Sequence, residues 1–163
     1  MKADTYYMSL AIEEAQKAIN NGELPFGACI VNDKGEIILT RNTCLSEKST
    51  VHHAEINALI QASKIKKFAE LKEYTIFSTS EPCLMCFGAI TWARMSKVVY
   101  GTSIKDLIKA GFSEININTN ELLDKVNYKI TVVPNVMRSE CLQLLRTWCK
   151  KQRILSWVFK NNI

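Results

Sequence analysis

His53 and Glu55 stand two positions apart, and Cys83 and Cys86 follow thirty residues later behind Pro82. Thiolate and imidazole are donors that zinc takes in a tetrahedron. Cys-x-x-Cys spacing can place both sulfurs on one side of a helix's first turn. The positive end of the helix lies there and favours the thiolate that binds metal. His53 supplies a third donor. Three protein ligands leave a fourth zinc position for water, whose pKa then falls to about 7. Glu55 lies two residues past the imidazole, where a carboxylate can reach that water without binding the metal. The chemistry is hydrolytic: water loses a proton, a ring nitrogen and a leaving group each gain one, and one carboxylate carries them.

Taken alone, Cys-x-x-Cys also fits a redox pair or half of a structural zinc site, and His-x-Glu is common. Their conjunction, with Pro82 and with strand and helix patterns at both halves, is specific. The chain has two histidines, His52 and His53. Neighbouring helical positions point about 100° apart, so both do not easily serve one ion. His52 reads as a satisfied or solvated neighbour. A structural four-ligand site needs Cys29, Cys44, Cys141 or Cys149 to arrive from elsewhere, and none has ligand spacing.

These residues sit in a chain of 163, long enough for one domain with a real core. Nearly half the residues are hydrophobic, at 47%, which excludes a disordered chain. No apolar run reaches transmembrane length, and the polar, amphipathic N-terminus does not read as an export signal, so a cytoplasmic location is expected. The four cysteines outside the motif then read as buried hydrophobes or free thiols, not disulfides. The net charge of +5 is mildly basic. It is compatible with RNA or an anionic substrate and argues for neither.

Hydrophobic periodicity predicts the elements that must hold the motif. A helix spans 3–20 and stops at Asn20-Asn21-Gly22. Strands over 26–31 and 36–40 form a hairpin across Asn32-Asp33-Lys34-Gly35. A polar loop over 41–51 leads to a helix over 53–64, with His53 and Glu55 in its first turn. Further elements are a strand over 74–78, a helix over 83–93, a strand over 97–101 and a short helix over 104–111. A loop over 115–127 follows, with a helical turn at 121–125. A fifth strand spans 129–133 and a last helix 136–152. The alternation gives a three-layer α/β/α sandwich around a mixed five-stranded sheet, with both metal-bearing segments meeting at one sheet edge. Small residues at Gly88 and Ala89 let the two metal-bearing helices pack closely. Gly27 lets backbone approach a ligand.

Residues beyond the motif are ambiguous by themselves. Phe26 packs over a planar ring or in the core. Asn42 can pair with a donor and an acceptor on a base edge, yet an Asn in a loop is also a common turn residue. After Gln152 comes a tail with Ile154, Leu155, Trp157, Val158 and Phe159. It packs on its own domain, covers a partner subunit or reaches over a neighbour's site. Lys150, Lys151 and Arg153 can touch phosphates or form a solvated helix face.

The chain resembles the cytidine deaminase superfamily, and within it the bacterial guanine deaminase and nucleoside deaminase branch. The resemblance covers about 3–152. It rests on Pro25-Phe26-Gly27-Ala28, Asn42, His53-Ala54-Glu55, the run from Glu81 to Arg94 including Gly88-Ala89-Ile90-x-Trp92-Ala93-Arg94, and Ala110-Gly111-Phe112. It implies zinc on His53, Cys83 and Cys86, with Glu55 as the proton shuttle. It further implies that Asn42 holds the ring edge of a purine and that Phe26 and Trp92 flank it. Glu114 falls where the branch has an acid that accepts from the exocyclic amine of guanine. Here Ser113-Glu114 stands where the family pattern is Asp-Asp. Members of the branch form dimers, sometimes exchanging the C-terminal segment, which fits the apolar tail.

Guanine deamination to xanthine and ammonia is the expected activity. Alternatives are deamination of adenosine in tRNA, deamination of a nucleoside, cytosine or triazine, and a structural zinc or binding module without turnover. The last requires a fourth protein ligand and no role for Glu55.

Overall fold

The fold is described from a computed structural model, which gives the backbone of residues 2–67 and 70–161 and the side chains of that span up to Gln152. Helix α1 (Asp4–Asn20) is followed by strands β1 (Gly27–Asn32) and β2 (Ile37–Arg41), then α2 (Ala54–Lys66). Next come β3 (Tyr74–Ser80), α3 (Leu84–Trp92), β4 (Lys97–Thr102), α4 (Ile104–Ala110), α5 (Thr119–Leu123), β5 (Thr131–Val133) and α6 (Arg138–Asn161).

The five strands form one sheet in the order β2-β1-β3-β4-β5. β1 is antiparallel to both β2 and β3, while β3, β4 and β5 run parallel. Side chains alternate across a strand, and β1 shows the consequence. Ala28 and Ile30 face a core shared with Ala54, Ala58, Leu59 and Ala62 of α2 and Ile90 of α3. Cys29 and Val31 face Tyr7, Met8 and Ala11 of α1 and Cys141 of α6. Every residue of β1 and β3 is buried, as expected for strands covered on both faces. The three-layer sandwich with a mixed sheet is therefore the architecture.

The two metal-bearing segments meet over β3, in the middle of the sheet, not at a sheet edge as expected. β3 lies between β1 and β4, and the segment of α2 reaches it from the edge strand β2. Gly27 also has a different cause. A Cβ there would lie 2.1 Å from the Ala11 carbonyl oxygen and 2.5 Å from the Ala15 nitrogen. The close approach it permits is that of α1, not of a ligand. A Cβ on Gly88 would meet nothing within 4 Å, so its small size is not what brings α2 and α3 together.

Capping explains where the elements depart from their expected bounds. α5 begins at Thr119, two residues early, because Asn118 and Glu121 form a reciprocal capping box. Ser103 and Asp106 form another at α4, which stops at left-handed Gly111. The last helix continues past Gln152 to Asn161. The expectation that the tail side chains cover a partner lies outside the described residues. No described helix is long and apolar enough to cross a membrane.

Candidate active site

His53 and Cys83 are not inside helices. Each is the residue before one, His53 before α2 and Cys83 before α3, with extended backbone. Their carbonyls accept the first helical bonds, from Asn57 N and Phe87 N. Neither side chain caps its helix. Both are thus left for other partners, at the positive ends of two helices. Thr40 Oγ1 donates to the Ala54 carbonyl at 2.7 Å and ties the start of α2 to β2.

The His53 Nδ1 atom lies 3.7 Å from Cys83 Sγ and 3.5 Å from Cys86 Sγ. Zinc bonds of ordinary length to nitrogen and sulfur in a tetrahedron put those donors about 3.6 Å apart. The donor set therefore fits zinc in chemistry and in size. Among the described residues the group has three members, all within 4.8 Å of one another. Cys29, Cys44, Cys141 and Cys149 lie outside it. Burial pushes the thiols of Cys29 and Cys141 up to about 12, as for inert core cysteines.

The two sulfurs are pushed in opposite directions. The hydrogen bond with Cys86 is the main cause that pulls Cys83 down to about 4, with His53 assisting against burial. The same bond and deep burial push Cys86 up. His53 is raised, first by its bond with Cys83, with burial opposing and Glu55 adding to it.

Glu55 is buried at 4% exposure in the first turn of α2. Ser78 of β3 donates its hydroxyl to Glu55 Oε1 at 3.1 Å. Burial raises the carboxyl above its ordinary value, and the neighbouring Cys83 adds to that, while His53 and Ser78 oppose it. Such a shift moves a carboxyl toward the range useful for proton exchange near neutral pH.

Glu114 is half-buried, in the segment after α4. Its carboxylate lies within electrostatic reach of Cys83, His53 and Glu55; burial, first, and Cys83 raise it. Asn42 is wholly buried; its main-chain N–H donates to the Phe26 carbonyl at 3.0 Å and its side-chain Nδ2 to Cys44 Sγ at 3.4 Å. Its side-chain oxygen accepts from Cys44 N at 3.1 Å, a local turn bond. Phe26 packs in both adjoining cores and against Phe112, with ring centroids 5.4 Å apart. Phe112 in turn lies 5.1 Å from Trp148 of α6.

Trp92 is not brought to this group. It ends α3 at 87% exposure, about 13 Å along the helix axis from Cys83. There it walls an apolar cleft with Ile56, Leu59, Ile60 and Ala89. The correction is one of direction: the cysteines start α3 and Trp92 finishes it. Lys151 is likewise occupied, donating to the Ile19 carbonyl at the end of α1 at 2.6 Å. His52 is satisfied, its Nδ1 3.0 Å from Asn57 Oδ1.

Among the buried carboxylates that escaped the reading of the sequence, Glu23 and Glu81 hold the loops beside the site. Glu23 accepts from Leu45 N at 2.9 Å and Ser46 N at 2.7 Å, holding the turn that follows Asn42. Glu81 accepts from Ile104 N at 2.9 Å and from Thr119 N and Oγ1 at 2.7 and 2.8 Å. The available signal was an acid in the strand-to-helix motif, two residues before Cys83, with no neighbouring base.

A tight three-donor group beside a buried carboxyl, at the helix N-termini over a central strand, defines a zinc-dependent hydrolytic centre. The sequence pattern of the cytidine and deoxycytidylate deaminase zinc-binding region matches residues 1–102. The chain belongs to this family of zinc-binding deaminases. A tRNA-specific adenosine deaminase of Buchnera aphidicola subsp. Schizaphis graminum (strain Sg) is 35% identical over 153 residues, covering 92% of this chain and 96% of its own. A guanine deaminase from Nitrosomonas europaea superposes with a TM-score of 0.84 at 25% identity, over 92% of this chain and 86% of that one. A guanine deaminase from Bacillus subtilis superposes with a TM-score of 0.66 at 33% identity, over 70% and 73% of the two chains.

Proposed function

We propose that this chain, as one domain over its 163 residues, is a cytoplasmic purine-base deaminase that converts guanine to xanthine and ammonia. The observation that carries the choice of guanine is the second carboxylate, Glu114, in the field of the metal group. Guanine presents N1–H beside the carbon that loses its amine. Adenine offers only acceptors on its ring edge beyond its own leaving amine. A carboxylate in addition to Glu55 therefore matches guanine. Likeness in overall structure extends to guanine deaminases and to a tRNA A34 deaminase alike, so the choice rests on Glu114.

In this reading His53, Cys83 and Cys86 hold zinc, which supplies a Lewis acid that makes water a nucleophile at neutral pH. Glu55 would take the first proton of water and pass it to a ring nitrogen, then take the second proton, from the hydroxyl added to the ring carbon, and pass it to the departing amine as the carbonyl forms. Ser78 fixes one carboxylate oxygen of Glu55, which limits its rotation. Asn42 and Glu114 hold the ring edge, and Phe26 closes one flank. Trp92 lies at the far end of α3, away from the metal group of its own protomer.

A second reading, deamination of adenosine in tRNA, is favoured by the 35% identity to a tRNA-specific enzyme along nearly the whole chain. A cleft of about 800 Å³ between α4 and α6, lined by Lys109, Arg146, Lys150 and the ion pair of Arg138 with Asp106, offers cations for a phosphate backbone. We also propose a homodimer. The exposed Trp92 and the apolar cleft beside it lie on one face, as a self-complementary twofold contact requires.

Ammonia release by zinc-loaded protein decides among these. Guanine, guanosine, adenine, adenosine, cytosine, cytidine and an RNA hairpin with a loop adenosine are compared, with Glu55→Gln as the blank. Turnover of guanine above the others is expected. Turnover of the hairpin alone would transfer the assignment to RNA.

A further inference from the structure

Residues 104–119 leave the sheet after β4, carry α4 and Glu114, and return at α5. Both ends of this excursion are tied to one side chain. Glu81 Oε2 accepts from Ile104 N, the first residue of α4, at 2.9 Å. Glu81 Oε1 accepts from Thr119 N and Oγ1, the first residue of α5, at 2.7 and 2.8 Å. Glu81 is 2% exposed and Thr119 wholly buried. The Glu81 amide N–H donates to the Thr102 carbonyl at 2.6 Å, so the main chain is fixed as well. No lysine or arginine pairs with Glu81 among the described residues. Its carboxyl oxygens are met by N–H and O–H donors from the two ends of one loop.

Glu81 also lies two residues before Cys83, at the turn that carries the metal donors. One rigid side chain thus spans from that turn to both feet of the loop that bears Glu114. Within the loop, Phe112 is the other anchor, against Phe26 and Trp148. We propose that Glu81 is a positioning residue: it closes residues 104–119 into a fixed loop and so sets the place of Glu114 relative to the metal group. The consequence for substrate affinity rests on Glu114 binding the purine edge. The consequence for the loop does not.

Glu81→Gln tests this with little change of volume. Glutamine keeps one acceptor oxygen and puts an N–H donor where the other amide needs an acceptor. Hydrogen exchange on the zinc-loaded protein is read first. Amides of 113–117 are expected to exchange about tenfold faster, with those of α2 and α3 unchanged. For guanine, KM is expected to rise about tenfold with kcat within about threefold, and zinc content to stay at the wild-type level. In a Glu114→Gln background the same change is expected to leave KM unmoved, because the two residues act on one contact.

Unchanged exchange at 113–117 would overturn the proposal, as would equal KM effects in both backgrounds or loss of zinc. If the wild type does not turn over guanine, the guanine reading fails, and hydrogen exchange still decides the role of Glu81. If Glu81→Gln does not fold, Thr119→Val removes one hydroxyl donor and leaves the backbone bond. Faster exchange at 113–117 in that variant supports the same conclusion, and unchanged exchange refutes it.

Discussion

The metal side of the site and the substrate side are built differently. On the metal side, His53, Glu55, Cys83 and Cys86 sit at or within the first turn of two helices packed on the sheet. Their directions follow from helix geometry and short sequence spacing. On the substrate side, Asn42 and Glu114 sit in loops, and those loops are held by Glu23 and Glu81 through backbone amides 22 to 38 residues away. A reaction type fixed by rigid local motifs can thus coexist with a substrate choice adjusted by loop sequence. The family shares its chemistry on the first side, and its members' differing substrates point to the second.

The metal side should therefore fail completely when one group is altered, and alone. Removing zinc with a chelator, or the Cys86→Ala change, is expected to abolish turnover of every substrate, with bound metal measured by mass spectrometry. Glu55→Gln should keep zinc and lose about 100- to 10,000-fold in kcat, the usual contribution of a positioned acid or base. A Glu55→Gln enzyme with a rate within tenfold of wild type would remove Glu55 from the reaction.

This division also marks what the sequence could disclose. The grouping of His53, Cys83 and Cys86 was legible because histidine is scarce in this chain and the Cys-x-x-Cys spacing is distinctive, and Glu55 lies beside it by its short spacing from His53. The layers were legible because α1, β1 and β3 carry clean apolar patterns. For Trp92 the motif gives identity without direction: within the protomer α3 carries it to the end opposite the cysteines. Glu23 and Glu81 were hard to read because their partners are mostly main-chain amides, which have no residue type to recognise. Gly27 was assigned to a ligand because the sequence does not tell that α1 crosses it.

On the substrate side, effects should be graded and selective. Glu114→Gln is expected to keep zinc and to raise KM for guanine about 10- to 100-fold, the worth of a hydrogen bond to a charged group. The loss for adenine or cytosine, which lack the N1–H beside the reacting carbon, should be smaller. Equal losses for all bases in steady-state kinetics would make Glu114 a general electrostatic element and remove the reason to prefer guanine.

The smallest effect on catalysis is expected at the far end of α3. Trp92 is 87% exposed and separated from the metal donors by the length of the helix. Trp92→Ala removes no buried contact of the protomer's core, so stability should change within about 0.5 kcal/mol. KM for guanine should stay within about twofold. What should change is association: the side chain walls the apolar cleft of α2 and α3, and exposed tryptophan beside such a cleft is characteristic of interface hot spots. Sedimentation at micromolar concentration should show the wild type as a dimer and the variant shifted toward monomer. A tenfold rise in KM with unchanged association would instead return Trp92 to the purine, and with it the geometry that the resemblance first implied.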